Sequence, residues 1–193
     1  MGDVRVLRDG PGPTDVAGVL LTPGAGATRE HRTLVALDDA LSAAATGLAV
    51  RRVDLPRGAT AAPARVREET VAFAAELGVG SERIVVGGRS FGGRMCSVAV
   101  ADGLRVAGLL LLSYPLHPPG RPERLRVEHL PRVDVPVLAV SGTTDPFGTP
   151  DELTTHLATV AGPVTLVLVR GPHAPTDPPV VEAVRSWLPT HQG

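Results

Sequence analysis

The chain has 193 residues, of which 43% are hydrophobic and 20% charged, and this composition predicts one globular domain over residues 1–193. Its 19 basic and 20 acidic residues leave a formal net charge of −1, which argues against a nucleic-acid partner. The single cysteine, Cys96, excludes an internal disulfide and a cysteine metal cluster. The longest apolar run, residues 106–112, is too short to cross a bilayer, and no signal-peptide pattern is present. We therefore expect a cytoplasmic protein without a membrane partner.

Short apolar runs alternate with helical patterns along the sequence. Strands are predicted at residues 16–21, 48–53, 83–87, 106–113, 135–141 and 164–169, with a further edge strand at 4–7. Helices are predicted at residues 30–45, 62–77, 94–101, 150–160 and 179–188. This alternation predicts an α/β fold, a doubly wound, mostly parallel sheet with helices on both faces. Residues 114–136 are predicted to form an irregular functional loop or short lid, with no room for a cap domain.

The most informative motif is Gly88-Arg89-Ser90-Phe91-Gly92. It follows a predicted strand and precedes a predicted helix, which is the context of a nucleophile elbow, a sharp turn that exposes a serine hydroxyl. The two glycines allow neighbouring backbone to approach closely, because they carry no Cβ. Because the chain has 22 glycines, the pattern Gly-x-Ser-x-Gly can arise by chance, so the interpretation depends on the flanking strand and helix. Ser90 is the candidate nucleophile.

A serine hydroxyl needs a base within hydrogen-bond reach, and the base needs a carboxylate that fixes its tautomer. Asp145 follows the predicted strand at 135–141 and is the candidate acid; the alternatives are a turn-forming role for Asp145 and Asp151 as the acid. His173 follows the strand at 164–169 and is the candidate base, the alternative being a solvated loop histidine. The chain order Ser90, Asp145, His173 is that of α/β-hydrolases.

Backbone N–H groups are also needed to stabilise the oxyanion that forms during acyl transfer. Ala25, which follows the first long strand, and Phe91, which follows the nucleophile, are the candidate donors, with Gly26 as the runner-up to Ala25. Gly24-Ala25-Gly26 also resembles part of a phosphate loop, but no Gly-Lys-Ser/Thr follows it, so nucleotide binding is disfavoured.

The remaining candidates are residues that we expect to contact substrate. Phe91 and Phe147, with Tyr114, are expected to line a shallow, open pocket suited to short acyl groups, and Gly26 and His117 are further candidates. His129, His156 and His191 are expected at the surface. The histidines show no metal-ligand spacing, so we predict neither a metal nor another cofactor.

With these motifs in place, the sequence resembles a minimal α/β-hydrolase. More narrowly, it resembles the small cap-less, dienelactone-hydrolase-like group with the elbow Gly-Gly-Arg-Ser-x-Gly-Gly-Arg, here residues 87–94, and with typical segments at 113–120 and 142–148. The resemblance implies a triad of Ser90, Asp145 and His173. The chain departs from the commonest pattern at Pro23 and Arg89, which stand where histidines are usual. Arg89 is expected either to pair with a carboxylate beneath the elbow or to bind an acidic substrate.

These features favour a serine hydrolase that cleaves a small-molecule ester or thioester through an acyl-enzyme. Two alternatives remain. The same residues serve an acyltransferase or an amidase equally well, and the fold alone is compatible with a catalytically silent binding or scaffold module.

Overall fold

The computed structural model describes residues 2–43, 47–58 and 60–189. Its strands are β1 (Asp3–Arg8), β2 (Gly18–Thr22), β3 (Ala49–Arg52), β4 (Ile84–Arg89), β5 (Gly108–Leu112), β6 (Val137–Gly142) and β7 (Val164–Val169). Its helices are α1 (Arg32–Ser42), α2 (Ala61–Glu76), α3 (Phe91–Ala101), α4 (Pro150–Leu157) and α5 (Asp177–Trp187). None of the helices in this described part has the length and apolar character needed to cross a membrane.

The strands form one sheet in the order β1-β7-β6-β5-β4-β2-β3. All neighbouring pairs are parallel except β1 and β7, which are antiparallel. Parallel strands end at the same edge of a sheet, so the loops that follow β2, β4, β6 and β7 lie side by side. The predicted fold class, including the edge strand near residues 4–7, is confirmed.

Helices cover both faces of the sheet, and each face has its own hydrophobic core. Helices α2, α3 and α4 bury residues such as Phe73, Met95 and Leu153 on one face. Helices α1 and α5 bury residues such as Leu37 and Val184 on the other. Strands β2, β5 and β6 are buried at every position, as expected for strands between two helical layers.

The structure differs from the predicted elements mainly at the elbow and in the loop after β5. Helix α3 begins at Phe91 rather than at residue 94, because the first turn follows directly from the elbow. Residues 114–136, here called the 114–136 loop, contain only a short 3₁₀ helix, Leu130–Arg132. Leu116 and Leu130 are fully buried and attach this loop to the core.

Candidate active site

Ser90 lies between β4 and α3 in a backbone conformation that is unusual for a residue with a side chain. Its φ is 51° and its ψ is −115°. Such a positive φ is strained for a non-glycine residue and is held by its surroundings, among them the hydrogen bond from the Ser90 N–H to the Leu112 carbonyl (2.8 Å). The flanking glycines are needed for close packing against β2. A Cβ at Gly88 would lie 2.1 Å from the Thr22 carbonyl oxygen, and one at Gly92 would lie 2.4 Å from the Thr22 hydroxyl.

The structure brings Ser90, His173 and Asp145 together. The Ser90 Oγ lies 2.9 Å from the His173 Nε2. The His173 Nδ1 lies 2.9 Å and 2.8 Å from the two carboxylate oxygens of Asp145. An ionised carboxylate can only accept hydrogen bonds, so this contact places the imidazole proton on Nδ1 and leaves Nε2 free to accept from the Ser90 hydroxyl.

Several contacts hold the acid and the histidine in place. Asp145 is buried, and its Oδ1 also accepts a hydrogen bond from the Phe147 N–H (2.9 Å). The loops that carry Asp145 and His173 are joined by a hydrogen bond from the Thr144 N–H to the Gly171 carbonyl (2.9 Å). The two catalytic candidates are therefore positioned by backbone as well as by their own contact.

Two further side chains contact His173. The ring of Phe147 packs against the imidazole, with the ring centroids 4.1 Å apart. The Arg89 guanidinium donates a hydrogen bond to the His173 carbonyl oxygen (2.9 Å). No carboxylate within the described residues forms a salt bridge with Arg89, so the expected pairing beneath the elbow is replaced by a contact with the histidine loop. Burial, followed by repulsion from Arg32, lowers the Arg89 pKa from its ordinary value.

The candidate oxyanion donors lie on either side of the serine. Phe91 is the first residue of α3, so its N–H has no acceptor within the helix. Gly24 to Ala27 form a tight turn closed by a hydrogen bond from the Ala27 N–H to the Gly24 carbonyl (3.1 Å). Gly26 supplies the positive φ (75°) that the third residue of a type II turn requires. The turn presents Ala25 to the space above Ser90, whereas Gly26 does not line that space.

A cavity of about 380 Å³ opens above Ser90. Its walls are formed by the elbow, the Ala25 turn, the acid and histidine loops and the 114–136 loop. The lining residues are Gly24, Ala25, Arg89, Ser90, Phe91, Arg94, Pro115, Arg126, Phe147 and His173. Another cavity, of about 450 Å³, lies between β1 and α5 and includes none of the candidate catalytic residues. The cavity above Ser90 is the candidate active site.

Besides Gly26, two expected substrate contacts, Tyr114 and His117, do not line this cavity. Tyr114 is fully buried, and its hydroxyl donates a hydrogen bond to the Arg126 carbonyl (2.7 Å). His117 is also buried; its Nδ1–H donates to the Pro118 carbonyl (2.9 Å), and its Nε2 faces the Glu152 carboxylate at 3.4 Å. Tyr114 belongs to the hydrophobic core, and His117 faces α4, so both side chains lie away from the cavity.

The structure also corrects the expected surface position of His129. This side chain is buried, and its Nε2 lies 2.7 Å from the hydroxyl oxygen of Ser97 on α3. His156 is half-buried near the end of α4, and the prediction for His191 lies outside the described residues. Cys96 is fully buried, and desolvation raises its thiol pKa to about 12. Within the described residues no group of three or more His, Cys, Asp or Glu side chains is arranged to hold a metal.

Sequence reasoning missed two charged residues of the cavity wall, Arg94 and Arg126. Arg94 was visible in the elbow motif, because it lies one helical turn beyond Ser90 and such residues share a helix face. Arg126 carries no comparable signal, because its position depends on how the irregular 114–136 loop folds.

A parallel sheet that carries Ser90, Asp145 and His173 on loops at its carboxyl edge has the architecture of an α/β-hydrolase. The profile of the α/β-hydrolase domain family matches residues 15–175, and the chain belongs to this family. The family predicted from the sequence is thereby confirmed.

Solved structures with the same fold include several named hydrolases. Est1E from Butyrivibrio proteoclasticus has a TM-score of 0.71 and 18% sequence identity, over 95% of this chain and 90% of that chain. A dienelactone hydrolase from Anabaena variabilis has a TM-score of 0.68 and 18% identity, over 97% and 96%. A carboxylesterase from Bacillus cereus has a TM-score of 0.64 and 17% identity, over 97% and 93%. At these identities the likeness concerns the fold.

Proposed function

We propose that the protein is a serine hydrolase that cleaves small esters or thioesters through an acyl-enzyme. The observation that carries this proposal is the chain of hydrogen-bonding contacts from Ser90 through His173 to Asp145 at the floor of an open cavity. The names of the similar structures, among them a carboxylesterase and a dienelactone hydrolase, are consistent with ester hydrolysis.

In the first half of the reaction, the Ser90 Oγ attacks the acyl carbon while its proton moves to the His173 Nε2. The N–H groups of Ala25 and Phe91 stabilise the negative charge on the former carbonyl oxygen. The bond from the acyl carbon to the leaving oxygen or sulfur then breaks, and the leaving group takes the proton from His173. An alcohol or thiol departs, and the acyl group stays on Ser90.

In the second half, water replaces the leaving group. His173 accepts a proton from this water as its oxygen attacks the acyl carbon, and then returns the proton to the Ser90 oxygen as the acyl–serine bond breaks. The products are the free serine and a carboxylic acid. Asp145 keeps the imidazole in the required tautomer and stabilises its cation in both halves.

The size of the cavity favours small substrates over long lipids. Its volume of about 380 Å³ is near the lower end of the range for small-molecule sites. Three of its lining residues are arginines, Arg89, Arg94 and Arg126. We therefore propose short acyl groups as substrates. Transfer of the acyl group to an alcohol and cleavage of an amide use the same residues, and they differ from hydrolysis only in the acceptor or the leaving group.

Hydrolysis of 4-nitrophenyl acetate and butyrate tests this proposal, with Ser90→Ala as the inactivating variant. Ser97→Ala is the matched control, because Ser97 also contacts a histidine but is buried on α3. We expect Ser90→Ala to lower kcat/KM by about 10⁴-fold or more and Ser97→Ala to retain the activity. If the folded parent protein hydrolyses neither ester, or if Ser90→Ala hydrolyses them as fast as the parent, the proposal is wrong and a scaffold role is favoured.

A further inference from the structure

The wall of the cavity above Ser90 has an unusual charge distribution. Arg89, Arg94 and Arg126 all line it, whereas no acidic residue in the described part of the chain does. Arg89 is engaged with the His173 carbonyl oxygen. This leaves Arg94 and Arg126 as cationic residues of the cavity wall, with no acidic residue among the described residues that line it.

Arg94 and Arg126 differ from the other half-buried arginines of the described chain. The side chains of Arg5, Arg51, Arg52 and Arg83 form ion pairs with carboxylates, and those of Arg67 and Arg89 donate to backbone carbonyls. Within the same described residues, neither the Arg94 nor the Arg126 side chain has a hydrogen-bond or ion-pair partner, and the Arg94 Nε is buried without one. The two guanidinium groups therefore lack a protein acceptor among the described residues, and an anionic ligand in the cavity would supply one.

The positions of the two arginines are fixed by the fold. The Arg94 N–H donates to the Ser90 carbonyl oxygen (3.0 Å) in the first turn of α3, so its side chain starts one helical turn from the nucleophile. The backbone of Arg126 is held at both ends, by its N–H to the Leu116 carbonyl (2.8 Å) and by its carbonyl to the Tyr114 hydroxyl (2.7 Å). The buried Tyr114 therefore holds Arg126 at the cavity.

The two cations also affect each other. Burial lowers the Arg126 pKa from its ordinary value, and repulsion from Arg94 lowers it further. An anion between the two guanidinium groups would relieve this repulsion and supply acceptors for their N–H groups. The guanidinium fork binds a carboxylate through two parallel hydrogen bonds, which makes it selective for such a planar anion.

We infer that Arg94 and Arg126 form a carboxylate-binding subsite, and that the substrate is an ester or thioester whose acyl part carries a second, free carboxylate. This inference rests on the proposed function of Ser90. The leaving group has to face His173 to be protonated, whereas the two arginines come from α3 and the 114–136 loop, so we assign the carboxylate to the acyl part. Since Arg94 begins one helical turn from Ser90, the carboxylate lies a few bonds from the scissile carbonyl.

A matched pair of esters tests the inference. Phenyl hydrogen glutarate carries the free carboxylate, and phenyl methyl glutarate has the same chain with that charge removed. We expect the parent protein to prefer the anionic ester in kcat/KM by about tenfold or more. In Arg94→Gln and in Arg126→Gln this ratio is expected to fall toward one. Arg124→Gln is the control: its side chain is exposed on the same loop and outside the cavity, so the ratio stays at the parent value.

A binding measurement separates this inference from the proposed reaction. The Ser90→Ala variant is titrated calorimetrically with monomethyl glutarate, and in parallel with inorganic phosphate, with and without Arg126→Gln. Weaker binding of monomethyl glutarate by about tenfold in the double variant supports the subsite even if no ester is hydrolysed. Equal binding by the two variants, a parent protein that hydrolyses both esters equally well, or binding of phosphate in preference to the carboxylate would each overturn it. Hydrolysis of both esters at equal rates would still leave the serine hydrolase intact.

Discussion

Two serine–histidine pairs lie close to helix α3, and only one of them has the surroundings of a catalytic site. The Ser90 Oγ is 2.9 Å from the His173 Nε2, and the Ser97 Oγ is 2.7 Å from the His129 Nε2. The second contact is the shorter one. The distance between hydroxyl and imidazole therefore does not distinguish the candidate nucleophile Ser90 from the buried Ser97.

The two histidines differ in the partner of the ring nitrogen that does not face the serine, and in their access to solvent. His173 has the buried Asp145 carboxylate on its Nδ1 and opens into the cavity. His129 is only 7% exposed, makes no hydrogen bond to a carboxylate within the described residues and lies near Arg94. Burial, followed by repulsion from Arg94, lowers the His129 pKa to about 4. A base needs a partner that stabilises its cation, and only His173 has one.

Among the substitutions that distinguish the two pairs, removing the negative charge of Asp145 should have the largest effect on activity. In Asp145→Asn, the side-chain amide can donate a hydrogen bond to His173 Nδ1, which favours the tautomer with the proton on Nε2. That nitrogen then no longer accepts the Ser90 proton. We expect kcat/KM toward a short ester to fall by about 10³- to 10⁴-fold.

Asp151→Asn is the matched control for this substitution. Asp151 was the alternative acid in the sequence, and the structure places it at the exposed start of α4, with its carboxylate 3.7 Å from Arg5. We expect its replacement to leave the activity unchanged. A loss of activity in Asp151→Asn that matches the loss in Asp145→Asn would contradict the assignment of the acid.

We expect the contact between Ser97 and His129 to affect the stability of the protein rather than its activity. The His129 pKa is about 4 in the folded protein and 6.5 in a free side chain, so the unfolded chain binds the proton first as the pH falls. The free energy of unfolding should be highest above pH 6.5 and decrease toward pH 4 by about 2–3 kcal/mol from this group alone. Denaturant unfolding at a series of pH values measures it.

His129→Gln provides the comparison, because glutamine does not titrate. The variant should be less stable at neutral pH, since its contact with Ser97 is altered. Its free energy of unfolding should depend less on pH between 6.5 and 4 than that of the parent protein. Equal pH dependence in the two proteins would show that His129 takes up its proton as easily in the folded state as in the unfolded one.

The strands and helices were predictable, because apolar runs and helical periodicity in the local sequence specify them. The positions of Ser90, Asp145 and His173 followed from the same logic, since each comes directly after a predicted strand and parallel strands end at one edge. The pairing of β1 with β7 at the far edge of the sheet has no local signal beyond the apolar character of residues 4–7.

Most of the misplaced side chains lie in the 114–136 loop. Tyr114, His117 and His129 were expected to contact substrate or solvent, yet all three are buried. This loop has no periodicity, so its buried side cannot be inferred from spacing. Its folded path depends on tertiary contacts such as the hydrogen bond from Tyr114 to the Arg126 carbonyl. The same contact places Arg126 at the cavity, which explains why that residue was missed.

The most direct test of the account is the intact mass of the protein after reaction with a fluorophosphonate. We expect a single adduct on the parent protein and on Ser97→Ala, much slower formation on His173→Ala and none on Ser90→Ala. This result would establish that the serine paired with His173 is the activated one. An adduct that persists on Ser90→Ala, or a folded parent protein that forms none, would contradict the account.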